Sequence, residues 1–184
     1  FRGSSGKTSE TTITDTVGQI DATLKGNAVG SATGVVFDGT NSYIDLNLGA
    51  VQLGGPMTFE IVVKFTGEGG LHARFFDFGT GSSADDAIIL YQSSVAVTVA
   101  PSVKQVGAHV YVGAVRKSAY STADAIVYGA RQHYVVTIGG SHLVIFLDGV
   151  QIGSIKSGIS ATNPNSLTRA SCKIGRNSQT AASD

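Results

Sequence analysis

Residues 58–65 of the sequence are Thr58-Phe59-Glu60-Ile61-Val62-Val63-Lys64-Phe65. The aromatic and aliphatic residues Phe59, Ile61, Val63 and Phe65 fall on every second position, with polar residues mostly between them. In a β-strand successive side chains point to opposite faces, so this alternation places the apolar residues on one face. Burying each of them is worth about 1.5–3 kcal/mol before the entropy cost. A helix would scatter them around its surface, so the pattern predicts a strand against a core.

The same alternation recurs along the chain between turn residues. It predicts further strands at 35–37, 43–48, 75–78, 87–91, 95–99, 109–115, 133–138, 142–147, 150–155 and 173–176. Gly139-Gly140 and Asp148-Gly149 separate the best hairpin strands, and such dipeptides tolerate the positive φ of tight hairpin turns. Only 118–128 favours a helical turn. Many short strands without a clear helix predict an all-β fold, a two-sheet antiparallel β-sandwich.

Size and charge limit the function classes. The 184 residues suit one domain spanning 1–184, and the sequence begins with Phe1 rather than Met, so we expect a piece of a larger protein. Thirteen basic residues balance thirteen acidic ones, which disfavours nucleic acid as a partner. No apolar run approaches the roughly 20 residues that a membrane span needs. The single cysteine, Cys172, excludes an internal disulfide.

Five motifs in order resemble a known family. Residues 36–44 (VFDGTNSYI) are similar to its "FDG…Y" entry strand, and 57–65 (MTFEIVVKF) to its "FTIEAWVKF" strand. Residues 75–81 resemble "FDFGSG"; 133–137 and 143–149 resemble the "HVAVT…LYVDG" hairpin, followed by Lys173-Ile174-Gly175. The sequence thus resembles the laminin-G-like, concanavalin A-like jelly rolls, and in particular the repeated modules of large extracellular or virus-encoded proteins of algae and related protists.

The resemblance implies the fold but not the function, because this superfold hosts lectins, glycosidases, adhesion modules and structural domains. The chain departs from the family in two places. No Trp precedes His133, so tyrosines would have to serve as sugar-stacking platforms. The family also continues into a final strand that closes the sheet, whereas this sequence ends at Asp184. We therefore expect an open sheet edge that another chain or a continuation fills by strand addition.

Catalysis is not expected. Glycosidases use two facing carboxylates, and the acidic residues Glu60, Glu68 and Asp45 are each isolated in the sequence. The basic residues Lys104, Arg116, Lys117 and Arg131 are interpreted as a scattered, solvated face rather than a patch for anionic glycans.

The resemblance implies a calcium site among the loops at the rim of the sandwich, and Asp85-Asp86 resembles one half of that site. Asp77 is a further acidic turn position, since calcium prefers carboxylate and carbonyl oxygens. The alternative for Asp38 and Asn41 is that their side chains cap tight turns. No acidic residue between Asp148 and Asp184 offers a second ligand.

Two functional hypotheses follow. The first is a non-catalytic structural or adhesion module outside the cell, in a fibre, surface hair, sheath or virion surface, joined to other chains or neighbouring copies by strand addition. The second is a calcium-assisted carbohydrate-binding domain. It would use Asp85, Asp86 and Asp77 for the metal and Tyr43, Tyr91 and Asn41 for a glycan.

Overall fold

The structure, a computed structural model, describes residues 11–49, 51–67, 73–81, 86–95, 103–122, 124–155 and 163–178. This part of the chain consists of strands, turns and loops. The strands are β1 (Thr12–Thr14), β2 (Asp21–Lys25), β3 (Val29–Ser31), β4 (Gly34–Val36), β5 (Tyr43–Asp45), β6 (Gln52–Leu53), β7 (Met57–Lys64), β8 (Arg74–Gly79), β9 (Ile88–Val95), β10 (Val103–Val112), β11 (Val115–Ser121), β12 (Arg131–Gly139), β13 (His142–Leu147), β14 (Val150–Ile155), β15 (Leu167–Thr168) and β16 (Ser171–Ile174). Within these ranges no helix long and apolar enough to cross a membrane is found.

Hydrogen bonding joins twelve strands into one antiparallel ladder. Their order is β1-β2-β5-β16-β8-β9-β10-β11-β14-β13-β12-β7. The remaining strands form two separate two-stranded ribbons, β15-β6 and β3-β4. Every described pairing is antiparallel, as the short turns between successive strands predict.

The ladder folds back on itself between β11 and β14, so β7 and β12 face β8. Phe59 of β7, the last strand, packs with its ring centroid 5.0 Å from that of Phe76 on β8. Tyr134 of β12 packs in the same way on Phe75, with centroids 5.2 Å apart. The result is an eight-strand layer, β1 to β11 in ladder order, stacked on a four-strand layer, β14-β13-β12-β7. The predicted two-sheet antiparallel sandwich is confirmed.

The core lies between the two layers and follows from side-chain alternation. On β12, Tyr134, Val136 and Ile138 are buried while the residues between them are only partly covered. On β7 the predicted inward face is confirmed, since Phe59, Ile61 and their alternate neighbours pack on the core. These β7 side chains stay half-buried because β7 is the end strand of the ladder.

Two sequence predictions about 109–128 are wrong. The single strand predicted for 109–115 is a hairpin, in which β10 ends at Val112 and β11 begins at Val115. Gly113 makes the turn with φ 59°, a backbone conformation that glycine adopts readily. The helical turn predicted within 118–128 is replaced by β11, where Ala119 and Ser121 alternate into the core. The predicted strand 95–99 lies, apart from Val95, outside the described residues.

Two predicted turns are confirmed. Asp148 and Gly149 both have positive φ, 48° and 83°, as the hairpin between β13 and β14 requires. Asp38 caps its own turn, because Oδ1 accepts hydrogen bonds from the backbone N–H groups of Thr40, Asn41 and Ser42. The Ser42 hydroxyl donates to the same oxygen, and these bonds hold the pKa of Asp38 well below its ordinary value.

Candidate functional site: a pocket on the outer face of the eight-strand layer

The strands at the centre of the eight-strand layer carry a second, polar and aromatic face opposite the core. Cross-strand pairing aligns Asp77, Ile89, His109 and Ser118 in one row from β8 to β11. A second row aligns Arg74, Tyr91, Gly107 and Tyr120. Directly opposed residues of an antiparallel pair point to the same face, so both rows lie on the side of the layer away from the core.

A cavity of about 270 Å³ opens on this face. Its lining residues come from β8 to β11 and from the segment after β16: Arg74, Asp77, Ala87, Ile89, Tyr91, His109, Tyr111, Arg116, Asn177 and Ser178. Ala87, Ile89 and Tyr91 are buried and form an apolar floor, against which the half-buried Tyr111 packs. We call this cavity the outer-face pocket.

A hydrogen-bonded aromatic cluster of Tyr91, His109 and Tyr120 lies at one side of the outer-face pocket. A hydrogen bond of 2.8 Å joins Tyr91 Oη to His109 Nε2, and Tyr120 Oη lies 3.2 Å from the same nitrogen. The rings of Tyr91 and His109 meet edge to face, with centroids 4.7 Å apart. Burial, followed by the contact with Tyr120, raises the pKa of Tyr91, so its phenol stays protonated at neutral pH.

The opposite wall contains buried polar atoms with unused hydrogen-bonding capacity. Asp77 is only 1% exposed, and its Oδ2 accepts a hydrogen bond from Arg74 Nε at 3.0 Å. Within the described ranges, Asp77 Oδ1 has no hydrogen-bond partner. The same holds for Oγ of Ser178, a residue that is also 1% exposed. Leaving a buried polar group unpaired costs about 1–3 kcal/mol, so a ligand that satisfies both atoms recovers this energy.

The structure brings together two of the residues predicted from sequence as site residues. Asp77 and Tyr91 both line the outer-face pocket. Tyr43 lies on the same face, two strands away on β5, with Lys173 Nζ at 5.6 Å and Arg176 Cζ at 5.1 Å from its ring centroid. Asn41 is instead part of the Asp38 turn, where its Oδ1 accepts the backbone N–H of Asn27 at 3.3 Å.

The described residues do not assemble a calcium site at the loop rim. The Oδ1 atom of Asp86 accepts hydrogen bonds from the Gly113 N–H and from Asn165 Nδ2. Its carbonyl oxygen accepts one from Nε of Arg169, a buried cation. No group of three His, Cys, Asp or Glu side chains suited to a metal ion occurs in the part of the chain that the structure covers. Asp85 lies outside that part, so calcium at Asp85-Asp86 stays a prediction, and Asp77 pairs with Arg74 instead.

Sequence reasoning missed Arg74, His109, Tyr111 and Arg116 as pocket residues. The signal was present in the alternation of 105–111 and 116–120, where most positions that do not enter the core carry polar or aromatic residues: Gln105, His109, Tyr111, Arg116, Ser118 and Tyr120. The single strand predicted for 109–115 hid this signal, because it ended before Arg116 and provided no second strand of a hairpin to hold Arg116 beside β10. Arg116 is therefore a lining residue of the outer-face pocket rather than part of a scattered basic surface.

The two-layer antiparallel sandwich is the architecture of the jelly-roll folds. The family model of the concanavalin A-like lectin/glucanases superfamily, of the laminin-G type, matches residues 38–184. The match covers most of the chain, and the chain belongs to this superfamily. No curated protein matches the sequence.

Two solved structures are similar to this chain. One is the carbohydrate-binding module CBM66 from Bacillus subtilis, with 13% identity, a TM-score of 0.47, and coverage of 86% of this chain and 93% of that chain. The other is the exoplasmic/lumenal domain of VIP36 in its Ca²⁺- and mannose-bound form, with 13% identity, a TM-score of 0.47, and coverage of 86% and 77%. At this identity the similarity says nothing about the ligand of the present chain.

The contact between Tyr91 and Gly107 gives a test of how the aromatic wall is built. A Cβ at position 107 would lie 2.6 Å from Tyr91 Cζ, so Gly107→Ala must displace the ring from His109. We expect a loss of about 1–3 kcal/mol in the free energy of unfolding, measured by chemical denaturation. Gly67→Ala, where a Cβ meets nothing within 4 Å, is the matched control and should change stability by less than about 0.5 kcal/mol.

The Tyr91→Ala variant completes this test. Without the ring, Gly107→Ala should cost little, so the two substitutions should be strongly non-additive. Additive losses in the free energy of unfolding would show that the Tyr91 ring does not require a glycine at position 107.

Proposed function

We propose that the chain is a non-catalytic carbohydrate-binding module whose binding site is the outer-face pocket. The main support for this proposal is that Asp77 and Ser178 line the same cavity and that Oδ1 of Asp77 and Oγ of Ser178 are buried without a hydrogen-bond partner among the described residues. A carboxylate oxygen only accepts hydrogen bonds, whereas a serine hydroxyl both donates and accepts. Sugar hydroxyl groups also donate and accept, so they match the hydrogen-bonding capacity of both atoms.

The apolar part of the pocket suits the C–H groups of a sugar ring. A sugar ring has an apolar C–H face beside its hydroxyl groups, and aromatic side chains with a polar tip match that combination. Tyr111 is half-buried beside the buried floor formed by Ile89 and Tyr91, which leaves part of its surface open to the cavity. The cavity volume of about 270 Å³ lies near the lower end of small-molecule sites, which suits a single sugar unit.

We propose binding without hydrolysis because the described carboxylates on this face are not arranged as a catalytic pair. Hydrolysis of a glycosidic bond uses two carboxyl groups on either side of that bond. Among the described lining residues, Asp77 is the single carboxylate. Asp45 shares the outer face, but Lys173 lies between the two, paired across strands with each of them.

A second candidate is a structural or adhesion module outside the cell, in which a neighbouring copy adds a strand to β7. It is favoured by the half-buried state of the inward residues Phe59, Ile61 and Val63. β7 has one hydrogen-bonded neighbour, β12, in the part of the sheet that the structure describes. An added strand with apolar residues at alternate positions would extend the sheet and cover these side chains. This role and sugar binding use different surfaces and are compatible.

For the sugar-binding proposal, Asp77→Asn and Ser178→Ala should weaken binding to whichever glycan the wild-type protein recognises on a glycan array. A charge-assisted hydrogen bond is worth about 1.5–3 kcal/mol, so Asp77→Asn should lower the affinity at least about 10-fold in titration calorimetry. The control substitutions Asp124→Asn and Ser141→Ala, at exposed positions outside the pocket, should leave the affinity unchanged.

Two outcomes contradict this proposal. One is an array on which no glycan binds the folded protein, and the other is binding that Asp77→Asn and Ser178→Ala leave intact. Incubation of a bound glycan with the protein should release no reducing ends; their release would contradict the non-catalytic assignment.

For the strand-addition candidate, light scattering should show a molar mass that rises with protein concentration. Val62→Lys places a charge on the exposed face of β7 and should shift the equilibrium toward monomer, because charged side chains oppose edge pairing. Val150→Lys, at the exposed start of β14 in the same layer, is the control and should not change the molar mass. A wild-type protein that stays monomeric over the whole range would exclude pairing between copies.

A further inference from the structure

The buried Arg169 joins three segments of the chain through their backbones. Its side chain is 2% exposed, and the residue directly follows β15. Nε of Arg169 donates a hydrogen bond to the Asp86 carbonyl oxygen at 2.9 Å, and Nη2 donates to the Asn165 carbonyl oxygen at 3.3 Å. Nη1 donates to the carbonyl oxygen of Leu53 on β6. All three nitrogen atoms of the guanidinium are thus bound to separate backbone segments.

Asp86 receives two further hydrogen bonds at the same place. Its Oδ1 accepts the Gly113 N–H at 2.9 Å and Nδ2 of Asn165 at 2.7 Å. The φ angle of Asp86 is 57°, in the left-handed region that residues other than glycine adopt infrequently. Such a conformation persists where the surrounding structure holds it in place. We call Leu53, Asp86, Gly113, Asn165 and Arg169 the Arg169 cluster.

These bonds decide whether the calcium ion that the resemblance implies fits at Asp86. Calcium takes about six to eight oxygen ligands, whose lone pairs face the ion. In the Arg169 cluster the three carbonyl oxygens and Asp86 Oδ1 face N–H groups instead. A calcium ion would have to displace these donors and lie beside a guanidinium, which stays charged in proteins and repels a second cation. These oxygens therefore do not fit a calcium ion.

The Arg169 cluster is connected to the floor of the outer-face pocket. The carbonyl that Arg169 Nε holds belongs to the peptide group between Asp86 and Ala87, and Ala87 is one of the buried floor residues. The N–H of Tyr111, a lining residue, donates to the Ala87 carbonyl oxygen at 2.8 Å. Arg169 is thus one peptide group away from the side of the pocket formed by β9 and β10.

We propose that Arg169 takes the place of a loop metal and fixes the floor of the outer-face pocket, so that folding and sugar binding need no calcium. The sugar-binding part of this inference rests on the proposed function. A guanidinium suits this role because its five N–H groups lie in one rigid plane and can reach several carbonyl oxygens at once. Because Arg169 is part of the chain, a chelator does not remove it.

Calcium chloride and the chelator EGTA are the probes for the metal part of the inference. The midpoint of thermal unfolding of the wild-type protein should agree within about 1 °C in the two reagents. A calcium ion that binds only the folded state would raise the midpoint as calcium is added. In a nuclear magnetic resonance titration with calcium chloride, the amide signals of Asp86, Gly113 and Asn165 should not move. Saturable shifts at these amides, or a higher midpoint in calcium, overturn the inference.

The matched variants are Arg169→Met and Arg131→Met. Methionine keeps an unbranched chain but has no N–H donor, so Arg169→Met leaves three carbonyl oxygens without this partner. Its midpoint of thermal unfolding should fall by at least about 5 °C, in calcium chloride and in EGTA alike. Arg131 is exposed on β12 in the four-strand layer, so Arg131→Met should leave the midpoint unchanged. An Arg169→Met protein as stable as the wild type overturns the inference, and the wild-type calcium titration decides it if this variant does not fold.

Sugar binding shows whether Arg169 positions the pocket as well as stabilising the fold. For the glycan with the strongest signal on the array, the wild-type affinity should be equal in calcium chloride and in EGTA. Folded Arg169→Met should bind the same glycan at least about 10-fold more weakly, whereas Arg131→Met should bind it normally. Affinity that falls on chelation, or Arg169→Met that binds as tightly as the wild type, overturns the inference while sugar binding stands. If no glycan binds, the proposed function fails, and the calcium titration still decides the role of Arg169.

Discussion

The pairing of β9 with β10 connects the core to the candidate site. Eight residue pairs, from Val103↔Val95 to Val110↔Ile88, fix the register of the two strands. Ile88, Leu90 and their β10 neighbours enter the core, so Ile89, Tyr91, His109 and Tyr111 must lie on the opposite face. A slip of one residue would exchange the two faces, drive His109 into the core and expose valines. Burial of the inner face therefore determines which side chains of β9 and β10 line the outer-face pocket.

A buried arginine stabilises the loops that border this ladder. Arg169 is only 2% exposed and donates hydrogen bonds to the backbone carbonyls of Leu53, Asp86 and Asn165, three separate segments. Burial lowers the pKa of its guanidinium, whereas Cys172 and Asp86 act in the opposite direction. Asp86 immediately precedes Ala87 of the pocket floor, so this clamp also positions the site. The Arg169 guanidinium thus joins three segments through their backbone carbonyl oxygens, as a metal ion bound in loops can.

The neighbouring Cys172 is part of the same buried environment. Its thiol donates a weak hydrogen bond to the Arg169 carbonyl oxygen at 3.6 Å. Burial raises the pKa of Cys172 to about 12, so the thiol stays protonated and chemically inert at neutral pH. The single cysteine therefore acts as a small core residue.

The sequence predicted those parts of the fold that depend on local alternation and turn chemistry. The β7 stretch and the Asp148-Gly149 hairpin were recognised because their patterns are complete within a few residues. The β10–β11 hairpin was missed because Gly113-Ala114 is a weak turn signal between strands of similar composition. The pocket was found only in part, since Arg74 and Tyr91 become neighbours through β8–β9 pairing, which single-strand patterns do not reveal. The hydrogen bonds of Asn41 and Asp38 show that both side chains hold a turn, and the sequence alone left a ligand-binding role open for Asn41.

A nuclear magnetic resonance titration with an oligosaccharide that the protein binds shows whether a sugar occupies the outer-face pocket. If it does, we expect saturable shifts concentrated at the side chains of Tyr91, His109 and Tyr111 and the amides of Asp77 and Ser178, with the four-strand layer unchanged. Shifts confined to the loops around Asp86 and Asn165, or to β7 and β12, would contradict sugar binding in this pocket.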